Sequence, residues 1–175
     1  IIKPNLFQHI VFDPQAAKQE EFPRSLMGVI AAIRQTLSDA QHYKATWDYY
    51  QQNATSFERP AYNQALAALQ PAIQGSQPTV MEPGSVLMID KAVRLGAEFG
   101  IKPILVASGQ EWRRPDLIKA TGAQFIVPLI LPKAPKMPSD SDWENVSLGQ
   151  LRAWDWAPEV PAMLQKNGQP ISLTL

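Results

Sequence analysis

The stretch that decides the fold runs from Thr79 to Ile130. It begins with Thr-Val-Met-Glu at 79–82, continues through a helical stretch to Lys-Pro-Ile-Leu-Val-Ala at 102–107, and ends with Ala-Gln-Phe-Ile-Val-Pro-Leu-Ile at 123–130. Short apolar runs that alternate with helical periods predict consecutive parallel βαβ units. In such folds the functional side chains lie where a strand ends and its loop begins.

The rest of the chain extends the same alternation. Further strands are predicted at Leu6–Phe12 and Gln169–Leu175, and a long loop at Leu131–Val146. Apolar spacing and capping residues predict helices at Ser25–Tyr50, Asn63–Ile73, Ser85–Gly100, Arg114–Thr121, Ser147–Trp156 and Pro161–Lys166.

The number of strands limits the architecture. Four or five strands fall short of a closed eight-stranded barrel, which needs about 250 residues. We therefore expect an α/β fold, either an open parallel sheet or, as we prefer, a partial TIM-like (β/α) barrel with parallel strands and outer helices. We treat residues 1–175 as a single domain.

Composition excludes several classes of function. Sixteen basic and sixteen acidic residues cancel, which removes an electrostatic reason to expect nucleic acid or an anionic membrane as partner. The chain has no cysteine, hence no disulfide framework and no thiolate chemistry. No apolar run approaches the roughly 20 residues of a membrane span. Motifs for dinucleotide binding, a P-loop and a serine-hydrolase elbow are missing from the sequence.

Two predicted strand ends carry polar residues. Glu82 ends the first strand of the deciding segment and is the candidate catalytic carboxylate and metal ligand. Gln110, Glu111 and Arg113 follow the next strand, after Gly109, and are candidates for binding a polar substrate. The structural alternatives are a loop acid at the start of a helix and an ordinary βα turn, because helix dipoles favour acids there.

Other polar and aromatic residues favour a structural interpretation. His9 and His42 are the only histidines and lack ligand spacing, so packing or surface positions are expected for them. Tyr43, Trp47 and Tyr50 recur at helical spacing. Without an accompanying basic patch, they predict a packing or subunit face rather than a platform for nucleic-acid bases.

Six segments of the sequence share their residue pattern with one known family: Pro23–Thr36, Val80–Glu82, Leu95–Gly100, Val146–Trp154, Ala157–Ala162 and Gly168–Thr174. Together these segments resemble the imidazolonepropionase-like amidohydrolases, and the resemblance spans nearly the whole chain. The resemblance implies a metal-dependent hydrolase on a TIM-like barrel flanked by a small β-sandwich. This chain would then be an internal piece of the barrel.

The resemblance also implies a set of metal ligands at the strand ends, of which this chain keeps little. Glu82 falls on the strand-five position and Ala107, which cannot bind a metal, on the strand-six position. The His-x-His pair would precede Ile1, and the strand-eight Asp would follow Leu175. We therefore expect a divalent, zinc-like metal in the full-length parent and none in this fragment.

Two functions follow from these expectations. The first is a fragment of an amidohydrolase acting on carbon–nitrogen (non-peptide) bonds, inactive as an isolated chain. The alternative is a catalytically degenerate protein of the same fold that binds a small molecule or a partner subunit. Open sheet edges would make the isolated chain self-associate. Similar proteins look like exported bacterial proteins, a weak indication of compartment.

Overall fold

The computed structural model describes residues 5–14, 22–136, 139 and 144–175. Its strands are β1 Gln8–Val11, β2 Thr79–Glu82, β3 Ile104–Val106, β4 Gln124–Pro128 and β5 Ile171–Thr174. Its helices are α1 Leu26–Gln52, α2 Gln64–Ile73, α3 Val86–Glu98, α4 Pro115–Thr121, α5 Leu148–Trp156 and α6 Val160–Lys166. Short 3₁₀ turns cover Glu111–Arg113 and Ala157–Glu159. Residues 131–136 of the predicted loop have neither helix nor strand, while 137–138 and 140–143 lie outside the described residues.

The five strands form one parallel sheet in the order β1-β2-β3-β4-β5. Crossovers between parallel strands are almost always right-handed. When the strand order never reverses, every crossover therefore places its helices on the same face. This is the arrangement of a (β/α) barrel, since a doubly wound sheet needs a point where the order reverses.

The core lies between the sheet and that single helical layer. Successive side chains of a strand point to opposite faces, so one row of the register faces the helices. Met81, Leu105 and Phe125 form this row, are fully buried, and pack with Ile89 of α3 and Leu164 of α6. Their burial removes the largest apolar side chains of the sheet from water, which stabilises the helical layer.

Local sequence signals set the helix ends. The Ser25 hydroxyl accepts a hydrogen bond from the Gly28 amide at 3.1 Å, and the Asn63 side chain accepts one from Leu66 at 3.1 Å. Ser147 forms a capping box at the start of α5. These contacts satisfy amides that the first helical turn leaves without partners, and they confirm the predicted starts of α1, α2 and α5.

The end of α3 shows how the chain turns back into the sheet. The Ile101 amide donates to the Gly96 carbonyl at 2.8 Å and the Gly100 amide to the Ala97 carbonyl at 3.2 Å, with Gly100 at φ 70°. This is a Schellman ending, which needs a left-handed residue where a side chain would be strained. It directs the chain immediately into β3.

Candidate functional site

A cavity of about 380 Å³ lies over the carboxyl ends of β2, β3 and β4. Its described lining is formed by Glu82, Gly84, Val106, Ala107, Ser108, Gly109, Val127, Pro128, Leu129, Ile130, Leu131, Ala157, Pro158, Val160 and Pro161. Cavities of roughly 300–1,000 Å³ are typical of small-molecule sites. Its position at the strand ends is the one that parallel α/β folds use for chemistry.

Glu82 contributes the charge of this cavity. It is the last residue of β2, and its side chain is 46% exposed. The register pairs Val11 with Glu82 and His9 with Val80, so His9 and Glu82 project from the same face of the sheet. Their side chains meet, with His9 Nε2 3.3 Å from Glu82 Oε2. The face is the one opposite the helices.

The sequence predicts a packing or surface position for His9, and the structure pairs it with the candidate carboxylate. Both residues are of metal-ligating and proton-transferring types. The available signal was that His9 and Glu82 occupy neighbouring strands, two register positions apart. Recognising it required the strand pairing of β1 with β2, which the sequence does not display.

Glu111 is completely buried and holds the turn that follows β3. Its Oε1 accepts hydrogen bonds from the Ser108 amide at 2.6 Å and the Ser108 hydroxyl at 2.9 Å. Its Oε2 is buried and has no hydrogen-bond partner among the residues that the structure describes. The structure therefore places this predicted substrate-binding carboxylate under the cavity wall, where it orients Ser108.

The two other predicted binding residues lie around the same turn. Gln110 is half-buried, and its backbone amide donates to the Ser108 hydroxyl at 3.3 Å. Arg113 is exposed, with its guanidinium 4.8 Å from the centre of the Trp112 ring. Neither is among the described residues that line the cavity, so the structure brings only Glu82 of the four predicted residues into its wall.

Trp112 also stabilises the turn that follows β3. Its indole Nε1 donates to the Gly109 carbonyl at 3.1 Å, and its ring packs edge-on against Trp156 with centroids 5.2 Å apart. Gly109 adopts φ 76°, a backbone conformation that glycine takes more easily than other residues. Glu111 and Trp112 thus determine the shape of the Ser108–Gly109 corner of the cavity.

Ala107 occupies the position that the resemblance assigns to a metal ligand. It is 7% exposed, belongs to the hydrophobic core, and offers only a methyl group. Among the residues covered by the structure, no group of three or more His, Cys, Asp or Glu side chains could hold a metal ion. Catalytic zinc sites use three protein ligands, so the pair of His9 and Glu82 does not by itself fit one.

The clear pKa shifts belong to surface ion pairs away from the cavity. The hydrogen bond from Arg114 lowers the pKa of Asp116 from 3.8 to about 2. The hydrogen bond between Arg34 and Glu98 likewise raises the arginine pKa and lowers that of the glutamate. These shifts reflect charge-assisted hydrogen bonds in the helical layer.

Comparison with known structures identifies the architecture. The chain is similar to an amidohydrolase from Thermotoga maritima MSB8, with a TM-score of 0.77 and 17% identity over 99% of this chain and 42% of that chain. It therefore spans less than half the length of that protein. The fold is α/β, an arc of a TIM-like barrel with parallel strands and outer helices, which confirms the predicted fold class. No family model and no curated protein matches the chain.

None of the helices in the described ranges combines the length and the apolar content that a membrane crossing requires.

Proposed function

We propose that this chain is part of an imidazolonepropionase-like hydrolase of carbon–nitrogen (non-peptide) bonds, with Glu82 as its catalytic carboxylate. The observation that carries the proposal is the place of Glu82. Glu82 ends a strand of the sheet, lines the cavity and contacts a histidine. The fold that carries it is similar to that of an amidohydrolase.

The chemistry requires a group that moves protons. Hydrolysis adds a water oxygen to the carbonyl carbon, breaks the carbon–nitrogen bond, and transfers a proton from the water to the leaving nitrogen. A positioned carboxylate can accept the first proton and deliver the second. The imidazole of His9 lies against one oxygen of Glu82 and orients the carboxylate, which leaves the other oxygen for the reaction.

Most of the residues that bind the metal of such a hydrolase would come from other parts of the protein. The described residues of this chain do not form a complete metal site. We accordingly propose that the isolated chain is inactive and that a full-length parent supplies the remaining ligands.

The test uses the full-length protein and a panel of amides, cyclic amides and cyclic ureides. Release of ammonia or amine is measured with and without divalent ions, and bound metal is quantified by mass spectrometry. We expect turnover that Glu82→Gln abolishes. The matched control is Glu98→Gln, which removes a half-exposed carboxylate from a surface pair with Arg34.

Two outcomes would reject the hydrolase. One is the absence of turnover together with the absence of any copurifying or activating ion. The other is turnover that Glu82→Gln leaves intact.

A second candidate function is favoured by Ala107. A core alanine at the position where the resemblance expects a ligand suits a degenerate site that binds a small molecule or a partner subunit without chemistry. Saturable ligand binding by full-length protein that turns over none of the panel would support it.

We further propose that the isolated chain self-associates through its edge strands. Val11 on β1 is 43% exposed, and Leu173 on β5 is 57% exposed. Each edge also presents unpaired backbone groups that can extend the sheet with a second chain. A dilute sample that remains monomeric by light scattering would contradict this proposal.

A further inference from the structure

The cavity has an apolar wall that is built largely by rigid segments. Its apolar side chains come from the ends of β3 and β4, from the residues after β4, and from the start of α6. Pro158 and Pro161 occupy first-turn positions of a 3₁₀ turn and of α6, where proline fixes the backbone. Ile130 forms part of the rim and is 82% exposed. An apolar ligand body would be covered by these groups.

Only one end of the cavity is charged. Among the described lining residues Glu82 is the single ionisable side chain, and His9, which contacts it from β1, does not line the cavity. The arginines of neighbouring elements are engaged elsewhere. Arg113 lies over Trp112, Arg114 pairs with Asp116, and Arg152 lies 5.5 Å from the ring of Trp156. The described wall therefore offers an anion no countercharge.

The Ser108–Gly109 corner of the cavity also has two hydrogen-bond donors that are already engaged within the protein. Both the amide and the hydroxyl of Ser108 donate to Glu111 Oε1 beneath the wall. A ligand carboxylate placed there would lose water without gaining these hydrogen bonds, which is unfavourable for any charge. By contrast, His9 contacts Glu82 through Oε2, which leaves Oε1 to accept from a ligand N–H group.

We propose that this cavity binds an apolar ligand whose polar end is an ammonium or another cationic N–H group, and that Glu82 is its counter-ion. The inference deepens the proposed function, because it names the substrate class of the same cavity. Substrates would carry a basic nitrogen beside Glu82 and an apolar body against α6, and anionic substrates would be rejected.

Three probes of equal length test the assignment: hexylamine, hexanol and hexanoate. Binding to chelator-treated and dialysed full-length protein is measured by calorimetry at neutral pH. We expect hexylammonium to bind about tenfold more tightly than hexanoate, as one partly exposed ion pair allows, with hexanol between them. Glu82→Gln should remove the advantage of hexylammonium over hexanol, and Glu98→Gln should preserve it.

A second variant tests the apolar wall without the charge. Ile130 lies on the exposed rim of the cavity. Ile130→Ser should weaken the binding of all three probes by a similar factor, while the order of their affinities stays the same. Equal binding of hexanoate and hexylammonium, an unchanged preference in Glu82→Gln, or no saturable binding at millimolar concentration would each overturn the assignment.

These measurements need no turnover, so the two proposals fail separately. Preference for hexylammonium without hydrolysis of any amide would retain the ligand class and reject the enzyme. Hydrolysis of amides together with equal affinity for the anionic and cationic probes would retain the enzyme and reject the ligand class.

Discussion

Gly96 is the position where a single methyl group should test the α3–β3 connection. An added Cβ would lie 2.7 Å from the Ile101 carbonyl oxygen and 3.1 Å from Pro103 Cδ. The nearer contact is a backbone atom held by the Schellman ending, so it cannot rotate away. Overpacking of this kind costs about 2–3 kcal/mol. The higher helix propensity of alanine offsets about 1 kcal/mol of this cost. Gly96→Ala should therefore lower the free energy of unfolding by about 1–2 kcal/mol.

Gly149 provides the matched control. It is also helical, but a Cβ there would meet its nearest neighbour only at 3.8 Å. Gly149→Ala should therefore stabilise the protein by about 0.5–1 kcal/mol.

The assay is equilibrium urea unfolding followed by circular dichroism, with thermal melts in parallel. Each kcal/mol should move the melting temperature by about 2–4 °C in a chain of this size. The two substitutions should shift the midpoint in opposite directions with an unchanged m-value. A Gly96→Ala protein as stable as the parent would refute the close approach of α3 to the start of β3.

Three further changes have defined outcomes. Glu111→Ala removes a buried acceptor of two hydrogen bonds from Ser108 and should cost about 2–3 kcal/mol in urea unfolding; a loss below 1 kcal/mol would contradict its role in the turn. The folded-state pKa of Asp116 is lowered from 3.8 to about 2, so its stabilising contribution is complete above pH 3.8 and disappears as the pH falls toward 2. Asp116→Asn should flatten the acid limb of the stability profile in that window, and an unchanged profile would disprove the assignment. Ser147→Ala removes the cap of α5 and should cost about 1 kcal/mol, whereas Ser147→Asp should retain most of the stability.

The sequence predicted secondary structure well because its signals are local. The strand at Thr79–Glu82 has the predicted bounds, and Ser25 and Ser147 cap helices as expected. Asn63, the predicted start of the second helix, is the cap of α2. Capping groups bond within three residues of themselves, so neighbouring residue types contain most of the information. Gly100 ends α3 in the left-handed conformation through an equally local signal.

The candidate site could be predicted only in part. Glu82 reaches the cavity because the end of a parallel strand defines where its side chain lies. Glu111 and Arg113 follow the next strand, but one turns under the wall and the other lies over Trp112. Side-chain direction in a loop depends on which contacts are available, and those contacts come from the surrounding structure. The predicted binding roles of Gln110, Glu111 and Arg113 remain predictions.

By itself the sequence determined the alternation of strands and helices, the helix ends, and the strand end that carries the acid. Tertiary structure alone decided that His9 contacts Glu82 and that Ser108 donates its hydrogen bonds to Glu111. It also decided that the described cavity wall has a single charged side chain. The physical reason is range. Caps and periodicity act over a few residues, whereas the site joins residues more than 70 positions apart through the register of a parallel sheet.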